Sequence, residues 1–182
     1  MIYLRLLRDR GYRDVTLVGS SVGGWIAAEM AVRDNAGLVG RVVIINGTGI
    51  LVPEAPMPDF FSLTPRQITE HSFHEPDRFY VDPATLPAER VAAQRGNIAT
   101  LKALTSEPYM HDPKLQRRLG LVDVPVLVLW GESDRIVTPA YGRAFAAALP
   151  KGRFELVERA GHLPQLERPE ATFAAIDAFL AA

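Results

Sequence analysis

Val15-Thr16-Leu17-Val18-Gly19-Ser20-Ser21-Val22-Gly23-Gly24-Trp25 is the stretch on which the reading of this 182-residue chain turns. An apolar run, Val15 to Val18, enters a Gly/Ser turn, and the small-residue stretch from Val22 to about Arg33 has the character of a helix. Strand, sharp turn and helix around G-x-S-x-G form the context in which a serine becomes a nucleophile. The spacing has a steric cause. The central residue sits in strained backbone, so the positions two before and two after it must be nearly free of side chains where strand and helix approach. Gly19 and Gly23 flank Ser21 in this way, whereas Ser20 as the centre would put Val18 and Val22 there, so Ser20 is rejected. Helix amides beginning at Val22 then point at the reacting carbon, and the helix N-terminus favours the negative charge that develops on it.

Composition narrows the classes of function. With 20 Lys and Arg against 21 Asp and Glu, the net charge of −1 argues against a nucleic-acid surface or a polybasic membrane anchor. The chain has no cysteine, which excludes a disulfide, a thiolate nucleophile and a cysteine metal site. At the N-terminus the apolar run is too short for a signal peptide or a membrane span. A cytoplasmic enzyme acting on a small molecule, without nucleic acid or membrane, is the expectation. His71 and His74 lie three apart on an expected helix, but no third ligand accompanies them, so no metal and no cofactor is expected.

The rest of the chain alternates between strands and helices. Ile2 to Arg10 reads as an amphipathic helix with Ile2, Leu6 and Leu7 on one side. Val42 to Asn46, Val126 to Trp130 and Phe154 to Val157 are further strands, the first a continuous β-branched run suited to a sheet covered on both faces. Thr138-Pro139 starts a helix with the stripe Tyr141, Phe145 and Leu149, and Pro169 opens a last helix carrying Phe173, Ile176 and Leu180. This order predicts an α/β fold with a mostly parallel sheet of about four strands, flanking helices and right-handed crossovers.

Residues 49–119 form an insert between the second and third strands, leaving 1–48 and 120–182 as the core. So long a connection without structure is implausible in a compact domain, and helices near Thr64 to His71 and Ala88 to Ser106 are expected to build a cap. Phe60, Phe61, Phe73 and Tyr109 are candidates to line an apolar substrate pocket beneath it.

Two later segments answer Ser21. Asp134 follows the third strand in Trp130-Gly131-Glu132-Ser133-Asp134, and His162 follows the fourth in Ala160-Gly161-His162-Leu163-Pro164. In a parallel sheet the C-terminal strand ends share one rim, where ligands bind. His162 can take the hydroxyl proton of Ser21 and return it to the leaving group, while Asp134 holds the other ring nitrogen. Other polar residues read as structural: Asp123 as a turn residue at the wrong end of the sheet, Glu132 and Asp177 as solvated, His111 as a helix-start residue and Trp25 as core packing.

The order Ser, Asp, His is that of an α/β-hydrolase. From Gly11 to Ala182 the chain resembles the C-terminal two-thirds of serine α/β-hydrolases. The motifs that carry the likeness are Val18 to Gly24, Leu129 to Asp134, and Gly161-His162-Leu163-Pro164-Gln165-Leu166-Glu167-Arg168-Pro169. The resemblance implies hydrolysis of an ester or related acyl bond of a small to medium apolar substrate through an acyl-enzyme, with Ser21, Asp134 and His162 as the triad and the Val22 N–H as oxyanion donor. Hydrolysis of a carbon–carbon bond beside a carbonyl is the alternative within the fold, and a non-catalytic split module the alternative outside it. It also implies that the family's N-terminal strands and second oxyanion donor lie outside this sequence. The 182-residue chain alone is then expected to be weakly active, with strand 15–18 an exposed edge open to an N-terminal segment or a second copy.

Overall fold

Four strands, β1 (Val15–Ser20), β2 (Val39–Ile45), β3 (Val126–Gly131) and β4 (Gly152–Val157), pair in parallel in the order β1-β2-β3-β4. The computed structural model describes residues 2–182. Leu17 pairs with Val42, Val42 with Val126, and Val126 with Gly152, so all four C-terminal ends reach one rim. The second strand starts at Val39, ahead of the expected Val42, because the chain joins β1 from Val15 onward.

The missing alternation in β2 and β3 follows from burial on both faces. Val42, Ile44, Val128 and Trp130 face a large core shared with helices α1 (Ile2–Asp9), α2 (Val22–Arg33) and the helix Pro139–Ala147. Val43, Ile45, Leu127 and Leu129 face a smaller core containing Ile176 and Phe179 of the C-terminal helix Pro169–Leu180. Coverage of this second face stops short of β1, where Val18 is 58% exposed on the edge strand.

Two amphipathic stripes lie elsewhere than periodicity predicts. In α1 the buried residue is Leu4, with Leu7 packed beside it, whereas Ile2 and Leu6 are exposed. In the C-terminal helix Thr172, Ile176 and Phe179 turn inward, and Phe173 and Leu180 face solvent. Both apolar sets fit a helical period; contact with the sheet selects one of them. Tyr141, Phe145 and Leu149 are buried as expected. Thr138 occupies the cap position before Pro139 but makes no side-chain capping bond.

The insert contains α3 (Pro65–Ser72), α4 (Pro76–Phe79), α5 (Ala88–Thr105) and α6 (Leu115–Leu119). Single 3-10 turns stand at Phe60–Ser62 and Pro83–Thr85. Helix α3 begins at a capping box: the Gln67 N–H donates to Thr64 Oγ1 at 3.3 Å, and the Thr64 N–H donates to Gln67 Oε1 at 2.9 Å. The ends of the insert are built into the main core, where Ile50, Leu115 and Leu119 are all but fully buried. Between them α5 is exposed along most of its length. The remaining helices are α7 (Pro139–Ala147), α8 (Pro164–Glu167) and α9 (Pro169–Leu180).

The inward face of α9 is directly testable with one residue type. Phe179→Ala should lower stability by about 3–4 kcal/mol and Phe173→Ala by less than about 1 kcal/mol, read from urea denaturation of each variant. Equal losses would place the helix in another rotation.

Candidate active site

Ser21 stands between β1 and α2 with φ 55° and ψ −122°, a conformation that non-glycine residues rarely adopt. Hydrogen bonds hold it there. Its N–H donates to Ile45 O at 2.9 Å, and its carbonyl accepts from the Gly24 and Thr48 N–H groups at 2.9 and 3.3 Å. The steric demand expected at both flanking glycines falls on Gly19 and on Gly24. A Cβ on Gly19 would collide with the Gly23 carbonyl, and one on Gly24 would press on Gly47 Cα and Ile44 Cγ2 at 3.0 Å. A Cβ on Gly23 would meet nothing within 4 Å among the described residues. The Val22 N–H, at the first helical position, is an amide that α2 cannot bond internally.

Asp134 and His162 meet as the strand order requires. His162 Nδ1 lies 2.7 Å from Asp134 Oδ2, and both residues are buried. The other carboxylate oxygen, Oδ1, accepts the Ile136 and Val137 N–H groups at 2.8 and 3.0 Å. With Nδ1 engaged, Nε2 is the ring nitrogen left for chemistry. Ser21, Val22 and His162 line one cavity of about 290 Å³.

Asn46 was not singled out in the sequence, where it reads as the end of a buried strand. It is completely buried, has φ 46°, and donates from Nδ2 to Asp134 Oδ2 at 2.6 Å. Such a residue has one sequence signal, an amide side chain directly after an apolar strand at the ligand-binding rim.

The C-terminal end of α3 grips the loops that carry Asp134 and His162. The His162 N–H donates to Ser72 O at 2.6 Å, the Arg135 N–H to His71 O at 3.0 Å, and Arg135 Nη1 to Glu70 O at 2.6 Å. Carbonyls left over at a helix end are thereby satisfied by the loops that carry Asp134 and His162. Glu167, buried at the end of α8, completes the clasp by accepting the His74, Glu75 and Gly161 N–H groups.

Of the four aromatic candidates, Phe60 and Tyr109 line the cavity, together with Met57, Ile68, Leu101 and Met110. Phe61 and Phe73 do not. Phe61 stands edge-on to Phe60 and Tyr109, and Phe73 stacks on Phe79 at 4.4 Å within the insert. Their apolar character is spent on the insert's own packing. Tyr109 OH donates to Pro58 O at 2.7 Å and accepts the Phe60 N–H at 2.8 Å, and burial pushes its hydroxyl above the usual tyrosine range.

The other polar residues are accounted for. His74 lies beyond the end of α3 and not on a shared face with His71, and its Nδ1 pairs with Ser133 Oγ at 2.7 Å. No group of three metal-ligating side chains exists among the described residues. Trp25 packs against Gly49 and the main core, outside the cavity. Glu132 and Asp177 are exposed. Asp123 pairs with Lys151 at 2.8 Å, and that cation holds its carboxyl below the usual range. His111 bridges to Gly49 in the chain leading to α6, and it is Asp112 whose carbonyl accepts the Leu115 N–H.

Comparison with known proteins agrees with the fold. A family model described as "Alpha/beta hydrolase family" matches residues 2–176. The chain is 29% identical over 171 residues to the 2-hydroxy-6-oxononadienedioate/2-hydroxy-6-oxononatrienedioate hydrolase of Cupriavidus pinatubonensis, covering 86% of this chain and 58% of that protein. A crystal structure of a bacterial membrane phospholipase A superposes with a TM-score of 0.75 at 26% identity, over 97% of this chain and 59% of the other. A bromoperoxidase from Bacillus anthracis shares the fold, with a TM-score of 0.70 at 20% identity over 98% of this chain and 71% of that one. The chain thus spans less than two-thirds of the length of the first curated hydrolases it matches. No helix among the described residues is long and apolar enough to cross a membrane.

The steric reading of the turn is checked by two alanines. Gly19→Ala should lower stability by about 2–3 kcal/mol through overpacking, whereas Gly23→Ala should cost less than about 1 kcal/mol, measured as shifts in urea midpoint at constant m. A Gly23→Ala loss equal to that of Gly19→Ala would overturn the assignment of the close approach.

Proposed function

The chain belongs to the alpha/beta hydrolase family, and from that premise we propose that it is the greater part of a serine hydrolase cleaving esters or related acyl bonds of small apolar substrates. The observation that carries the reading is the Asp134–His162 pair at 2.7 Å, on a cavity that Ser21 also lines. Residues 49–119 are the cap of this enzyme, and Phe60, Tyr109 and Met110 bring its apolar wall to the cavity.

The steps follow from the groups present. Ser21 Oγ attacks the carbonyl carbon as its proton passes to His162 Nε2, and the carbonyl oxygen, now negative, lies toward the Val22 N–H. Asp134 stays ionised and stabilises the imidazolium. His162 then gives the proton to the leaving oxygen, the carbon–oxygen bond breaks, and Ser21 holds the acyl group. Water loses a proton to His162, attacks the acyl carbon, and the acid departs as Ser21 regains its proton.

Cavity size bounds the substrate. At about 30 Å³ for each water-sized group, a volume of about 290 Å³ holds roughly ten such groups. Medium acyl chains fit that space. The balanced charge of the sequence supports a small-molecule substrate and argues against nucleic acid.

Cleavage of a carbon–carbon bond is the second reading, and the name of the Cupriavidus relative favours it. The same serine would attack a ketone carbon, with a stabilised carbanion as leaving group in place of an alkoxide.

A fluorophosphonate probe should label the protein at Ser21, and Ser21→Ala should abolish the labelling. Labelling that survives in Ser21→Ala rejects the nucleophile. Turnover of p-nitrophenyl butyrate and octanoate exceeding that of a vinylogous 1,5-diketone acid supports the ester reading, and the reverse order supports carbon–carbon cleavage.

A further inference from the structure

We propose that Asn46 is the positioning residue of the site, fixing the carboxylate of Asp134 and acting on the reaction only through it. The inference rests on the reading of Ser21, Asp134 and His162 as a triad.

Three observations meet at this side chain. The backbone of β2 leaves the sheet at Asn46, whose φ of 46° lies in the left-handed region that asparagine tolerates better than most side chains. Its N–H still donates to Leu129 O at 3.0 Å. The side chain then continues the β2–β3 ladder where the backbone stops: Oδ1 accepts the Gly131 N–H at 3.2 Å, and Nδ2 turns to Asp134.

The second observation is the saturation of Asp134. Its Oδ1 takes two backbone N–H donors, and Oδ2 takes Asn46 Nδ2 at 2.6 Å and His162 Nδ1 at 2.7 Å. Two of the four donors come from its own loop, and only Asn46 ties the carboxylate to the rigid sheet. Without it, Oδ2 could turn away from the imidazole about the side-chain torsion that the loop amides leave soft.

Burial is the third. Asn46 has no exposed surface, so its amide donor is not shared with bulk solvent. A charged acceptor that loses such a donor costs more than a neutral one.

The experiment is a double-mutant cycle on the whole protein. Asn46→Gly keeps the left-handed backbone and removes the amide. In the parent it should lower kcat on the p-nitrophenyl ester about 10- to 100-fold, the loss expected for a hydrogen bond to a charged group, with KM within twofold. In the Asp134→Asn background, where no carboxylate remains to be positioned, the same change should cost less than twofold. Equal proportional losses in the two backgrounds, or a loss confined to KM, would overturn the proposal.

Asn46→Asp guards against a glycine variant that does not fold. It keeps the shape and the acceptor for Gly131 but sets a second carboxylate against Asp134 Oδ2. Two carboxylates so placed share a proton as pH falls, and the shared proton restores a donor. The ratio of variant to parent kcat/KM should therefore rise as pH is lowered from 8 to 6, whereas a ratio that stays flat would count against the role. Fluorophosphonate labelling of Ser21 is read in the parent throughout. A parent that does not label fails the triad, and a parent that labels while the cycle is additive fails Asn46 alone.

Discussion

A carboxylate that is almost wholly buried has to be hydrogen-bonded on both oxygens, and that demand at Asp134 organises the rim of the sheet. The requirement is met by donors from three places: the loop after β3, the histidine loop after β4, and the amide at the end of β2. Each of these segments emerges from a separate strand, so the relative heights of β2, β3 and β4 are set by whether the donors can reach one point. The parallel register brings them there. Energetically the arrangement is one-sided: removing a donor leaves a charged acceptor without compensation, at a cost well above the net worth of an ordinary hydrogen bond.

The insert is fastened to the same rim by different chemistry. Helix α3 points its C-terminal carbonyls at the backbone N–H groups of Arg135 and His162, and Glu167 gathers amides from His74, Glu75 and Gly161. The helix-end bonds join backbone groups and so depend little on side-chain identity, whereas the second set depends on the Glu167 carboxylate. A consequence follows for the cavity. Ile68 and Ser72, which line it, belong to the helix that touches the histidine loop, so a shift of that helix would move the wall and His162 together.

Much of this was legible in the sequence, for identifiable reasons. Strands buried on both faces leave continuous β-branched runs such as Val42 to Ile45, and a strained serine between strand and helix requires glycine at a close approach. Helix α3 starts at Pro65, beside the expected Thr64, where the structure adds a capping box with Gln67. What escaped was decided by tertiary contact. Phe173 and Phe179 both fit a helical stripe, and only the position of α9 over β3 buries the second. Phe61 and Phe73 have the composition of pocket residues but the contacts of packing residues. Asn46 carried no motif, because its hydrogen-bond partner Asp134 stands 88 residues away.

Backbone strain is concentrated where these constraints meet. Five described non-glycine residues have positive φ: Asp14, Ser21, Asn46, Met110 and Arg159. Three of them belong to the site, as the serine at the turn, the amide beside Asp134 and a buried wall of the cavity. Each strained residue costs on the order of 1–3 kcal/mol unless its surroundings over-determine it. Here they do: Ser21 is held by the Ile45, Gly24 and Thr48 bonds, Asn46 by Leu129, Gly131 and Asp134, and Met110 by Thr105 and Gly49. The bonds that compensate the strain run between β1, β2, β3 and the insert. Stability and site geometry therefore rest on the same contacts, and a substitution that removes one of these bonds is expected to disturb both together.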